Sequence, residues 1–146
     1  MSTTWKIALV TLLFAIPAFL LGRIIWPDAA GSLMQPTVGQ LPFFMFLSAL
    51  EAVAFGIGIS FLFFGWKYVA QIADGNKTGA WLSYIAIAWL LVSWWPHDNM
   101  HRVNGVDMAG LLRIEFMFHL TLIVASFVLA YYFFKFFRAM SGARPM

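Results

Sequence analysis

The sequence predicts an all-α, polytopic integral membrane protein folded as a four-transmembrane-helix bundle. Three observations predict it. Of the 146 residues 62% are hydrophobic and only 10% charged, where a soluble domain carries about 25% charged residues. The apolar residues gather into four segments: Trp5–Trp26, Phe43–Trp66, Ala80–Trp95 and Met108–Phe137. Turn formers, basic residues and tryptophans collect between and at the ends of these segments. Nothing alternates like a barrel strand, so helices are left as the way to satisfy the backbone inside lipid.

The first helix is expected over about 5–26. Lys6 ahead of an apolar stretch resembles a signal peptide, but no clear small-x-small cleavage site follows, and Arg23 and Trp26 sit as interface anchors. It is therefore read as a retained helix. Pro27, Gly31, Pro36 and Gly39 break the chain before the second helix, expected over 43–68. Its ladder of small residues, Ser48, Ala52, Gly56 and Ser60, is read as a close-packing stripe.

Asp74-Gly75-Asn76-Lys77 is a tight turn into the third helix. The apolar part of that helix is short of the roughly 20 residues that cross ~30 Å of hydrocarbon. It is therefore expected to continue through Pro96, with a kink there, over 80–102. Asn104-Gly105 forms a second turn, and Asp107 is placed to cap the fourth helix over 108–137. The whole is one domain, 1–140, followed by a disordered tail, 141–146.

Lys and Arg set the orientation. Lys6, Lys67, Lys77, Lys135, Arg138 and Arg144 fall on the side of the termini, against Arg23, Arg102 and Arg113 on the other. Both termini are expected in the cytoplasm, in a plasma (inner) membrane. The net charge of +3 thus reflects topology and not nucleic-acid binding. The expected partners are the lipid bilayer and other membrane subunits or a second copy.

The absence of cysteine removes disulfides, thiolate-held clusters, c-type haem attachment and thiol catalysis. A Walker loop, a serine-hydrolase elbow and HExxH are absent, no lysine lies mid-membrane as a retinal site needs, and three histidines are too few for a membrane di-iron hydroxylase.

The chemistry gathers between positions 97 and 119, where all three histidines lie. Polar ionisable groups are costly in a membrane, and a cluster of them marks a functional site. His97 and His101 are four apart, a spacing that puts two imidazoles on one helical face to share a metal. Asp98 and Arg102 have the same spacing and are expected to pair. Glu115 and His119 repeat it on the fourth helix, with His119 near mid-membrane and the pair facing the bundle interior. Glu51 lies inside the second helix with no cation near it in sequence. Arg113 is set to snorkel or to meet another helix rather than Glu115.

The leading reading is a site in the outer half of the membrane that binds a transition metal (copper, iron or zinc) or a b-type haem. His97, His101 and His119 are its ligands, with Glu115 and Asp98 as further metal ligands or orienting partners, in a redox or accessory subunit of a membrane oxidoreductase. Glu51 is expected to converge on the same cavity. Met34, Met45, Met100, Met108 and Met117 fall towards that side and would suit copper(I). The alternatives are a metal-free enzyme with Glu51, Glu115 and His119 as its acid–base set and a lipid pocket walled by Phe55, Trp89 and Phe116, a proton-coupled transporter using Glu51, and a purely structural subunit.

Overall fold

A computed structural model describes residues 2–29, 36–73 and 75–142. The chain forms α1 (Thr3–Ile25), α2 (Leu41–Phe64), a short α3 (Trp66–Ile72), α4 (Lys77–Asn104), α5 (Met108–Ile114), a π turn (Glu115–His119) and α6 (Leu120–Gly142). There is no strand among the described residues. Four helical stretches, Thr3–Ile25, Leu41–Phe64, Lys77–Asn104 and Met108–Lys135, are long and apolar enough to cross a membrane. Gly31, Met34, Asp74 and Arg144 lie outside the described residues, as does the 143–146 part of the expected tail. Ser141 and Gly142 belong to α6.

Local chemistry accounts for the helix ends. The Ser2 side chain accepts from Trp5 N at the start of α1. Asn76 caps α4 by accepting from Gly79 N at 2.9 Å, and Asp107 caps α5 by accepting from Ala109 N and Gly110 N. Gly75 has φ +80° and Gly105 φ +55°, backbone angles at which a side chain is strained. The second expected helix is interrupted: α2 ends at Phe64, and α3 starts afresh beyond Gly65. Trp66 of α3 is then drawn against Trp81 and Tyr84 of α4, with ring centroids 4.2 and 5.6 Å away. Pro96 sits inside α4, which runs unbroken for 28 residues.

The membrane helices stand as a row in chain order. α1 packs on α2, α2 on α4 and α4 on α6, with no comparable contact, among the described residues, between α1 and α6 or between α2 and α6. Small residues set these spacings. A Cβ on Gly56 would press on Thr11 O and on Ala15 of α1, and one on Gly58 would lie 2.6 Å from Val92 Cγ2 of α4. Ser60, 1% exposed, bonds Thr11 Oγ1 at 2.8 Å and donates to Ile7 O. Ala52, Gly56 and Ser60 of the small-residue ladder are thus buried at the α1–α2 seam, while Ser48 faces a cavity. Between α4 and α6, Trp89 stacks on Phe118 and donates through Nε1 to Thr121 Oγ1 at 2.9 Å.

A candidate metal centre between α4 and α6

The last two turns of α4 and the π turn face one another and bring the three histidines together. His97 Nε2 lies 2.8 Å from His119 Nε2 and 3.2 Å from His101 Nε2. One ligand atom from each of the three falls within 4.8 Å of the others. Behind this group, His119 Nδ1 is 2.8 Å from Glu115 Oε2. Phe118 packs against the His97 ring at 5.4 Å and covers one side.

The Glu115 carboxylate accepts from Nδ1 of His119, so a neutral His119 turns a bare Nε2 lone pair inwards. His97 Nε2 faces both other rings but carries at most one hydrogen. Whichever tautomer it takes, His97 Nε2 can therefore hydrogen-bond only one of the two rings it faces, and one close N–N contact is left without a hydrogen bond. A tetrahedral ion bound at 2.0–2.1 Å would hold its nitrogens about 3.3 Å apart. The observed 2.8 and 3.2 Å need to open by only a few tenths of an ångström. Glu115 stands where a metal-bound histidine usually finds its carboxylate partner, fixing tautomer and ring orientation.

The carboxylates divide. Glu115 reaches the group from behind, through His119. Asp98 and Glu51 lie elsewhere: their carboxyls face each other across the α2–α4 seam. Helical geometry explains the split. Successive residues are about 100° apart around a helix, so His97 turns towards α6 while Asp98 turns towards α1 and α2. His101 falls about 40° from His97, on the side of Asp98, and borders both places: it belongs to the histidine group and also lines the cavity that holds Glu51 and Asp98. Glu51 therefore shares a cavity with His101, as expected, but His119 and Glu115 are not among that cavity's lining residues; two neighbouring places meet at His101.

Other expectations are refined. Arg102 does not pair with Asp98. Its guanidinium bonds Asp28 at 2.9 and 3.2 Å, and Arg23 holds the same carboxylate. Asp28 follows the end of α1 and lies far from Arg102 in sequence, so helical spacing could not reveal that pair. Glu115 does not point into the bundle interior: its side chain is 59% exposed and that of His119 35%, because among the described residues α6 packs mainly on α4. Arg113 lies 3.9 Å from Asp107, the cap of its own helix. The aromatic wall drawn from sequence is also dispersed. Phe55 packs on Trp95, Trp89 on Phe118, and Phe116 is exposed.

Comparison with known protein families, curated proteins and solved structures gives no match to this chain.

Proposed function

We propose that this chain is a membrane metalloprotein that binds one transition-metal ion through Nε2 of His97, His101 and His119, with Glu115 fixing His119 from behind. The observation that carries it is the convergence of three Nε2 atoms on one point, with His97 Nε2 able to hydrogen-bond only one of the two rings it faces and Glu115 behind His119. Imidazole sets of this kind suit zinc, copper and iron. The spacing favours a bare ion over a b-type haem, whose iron would hold two axial nitrogens about 4 Å apart across the macrocycle; His97 and His119 stand at 2.8 Å. An ion held by three imidazoles keeps a further position for a small ligand. That fits a redox or accessory component of a membrane oxidoreductase better than a purely structural subunit.

The test is metal content. Protein extracted and purified without chelator or histidine tag is expected to carry close to one ion per chain. Stripped protein is expected to regain one equivalent of zinc, copper or iron with a rise in melting temperature. If no ion is retained and none raises the melting temperature, the metal reading fails and the Glu115–His119 pair becomes an acid–base site.

We further assign both termini to the cytoplasm and the histidine end of the bundle to the outer face of the plasma (inner) membrane. Six Lys and Arg on the side of the termini against three on the other support this. In intact cells, a membrane-impermeant thiol reagent is expected to label Val106→Cys, whose native side is 83% exposed, and to spare Ser2→Cys. The reverse pattern would place the metal on the cytoplasmic side.

A further inference from the structure

Beside the histidine group, between α1, α2 and α4, lies a cavity of about 930 Å³. This is at the upper end of the range that takes a small organic molecule, roughly 300–1,000 Å³. Its walls are mainly apolar, with Phe44, Met45, Trp95 and Leu111 among them. The polar groups are few and unevenly satisfied. Arg23 and Arg102 line it, but both are already bound to Asp28. Glu51 and Asp98 also line it, facing each other. Among the described residues, neither of these carboxyls accepts a hydrogen bond from an N–H group.

We propose that this cavity is a second binding site, which takes a neutral lipid-soluble molecule whose hydroxyl group donates to the facing carboxyls of Glu51 and Asp98. The two carboxyls are half-buried and, among the described residues, bond only each other, so acceptor positions are left over at the cavity wall, and a hydroxyl brought in by a ligand supplies a further donor. The apolar walls match a hydrocarbon body. Engagement of both arginines by Asp28 leaves them poor receptors for an anion. A phenol, hydroquinone or long-chain alcohol has this chemistry. Such a molecule would rest beside His101, which lines the same cavity. The site rests on its own lining residues and does not require that the histidines hold a metal.

The experiment uses the full chain in nanodiscs under anaerobic conditions, with empty nanodiscs as the partition control. The probes are 2-decylhydroquinone, its O,O-dimethyl ether and decylamine. The hydroquinone is expected to bind saturably at about one per chain. The ether keeps the body but not the donors, and is expected to bind at least tenfold more weakly to the unaltered protein, so this arm needs no variant. In the Glu51→Gln/Asp98→Asn double variant the two amides can satisfy each other, and a similar loss is expected. His119→Ala, which removes a proposed metal ligand, should leave hydroquinone binding unchanged. Equal binding of hydroquinone and ether, tighter binding of decylamine, or no saturable binding above the empty discs overturns the proposal. Loss of binding in His119→Ala alone would show that the ligand sits on the metal centre and not in this cavity.

Discussion

His119→Ala is expected to lower metal affinity by about 10²–10³-fold. Four-ligand zinc sites bind with roughly 10–16 kcal/mol, or about 2.5–4 kcal/mol for each ligand, and 1.4 kcal/mol is a factor of ten. His97→Ala and His101→Ala should fall in the same range, because each supplies one nitrogen of the same group. Glu115 is not expected to touch the ion, and its removal acts through the orientation of His119. Glu115→Ala should therefore cost less, about 10–100-fold. That ordering separates the reading from its acid–base alternative. If Glu115 and His119 formed a proton-transfer pair without metal, their substitutions would be equivalent, and His97→Ala would matter little. The check is competitive titration of each purified variant against a chromophoric chelator, beside a melting curve showing that the variant is folded.

The second large effect is steric. Gly56→Ala and Gly58→Ala are each expected to destabilise the protein by about 1–3 kcal/mol, the usual range for overpacking a tight interface. A Cβ at position 56 meets Thr11 O, a backbone atom that cannot rotate away, and one at position 58 lies 2.9 Å from Val92 N and from Leu91 Cβ. The two glycines lie on opposite faces of α2, one against α1 and one against α4, so their effects should be close to additive. Gly39→Ala is the control: a Cβ there meets nothing within 4 Å, and the change should be within about 0.5 kcal/mol. Equilibrium unfolding in mixed detergent micelles measures all three. A neutral Gly58→Ala would mean that α2 and α4 do not pack as closely as described.

The sequence made the helices legible because their cause is local. Apolar run length, the Asp107 cap and the glycines at 75 and 105 each act within a few residues of themselves. The two i, i+4 pairs were legible for the same reason, since both lie along single helical faces. What could not be read depends on which face of one helix meets which face of the next. The packing of α1 and α4 on opposite sides of α2 follows from small residues on both of its faces, and only the Gly56 side belonged to a visible ladder. Asp98 facing Glu51 and Arg102 reaching Asp28 are contacts between segments far apart in the chain. The π turn at Glu115–His119 was hidden for a different reason. A widened turn holds an extra residue and shifts everything after it by about 100°, and no single residue type announces it. Thr121 marks it only in hindsight: its hydroxyl lies 2.6 Å from Met117 O and takes the Trp89 N–H.

One ion held through the Nε2 atoms of three imidazoles has a distinct signature in X-ray absorption at the metal edge of the loaded, detergent-purified protein. The expected spectrum has a nitrogen shell near 2.0–2.1 Å, with the outer-shell scattering of three imidazole rings and room for one further light atom. A spectrum with fewer than two imidazoles, or one dominated by sulfur or by carboxylate oxygen, would contradict it.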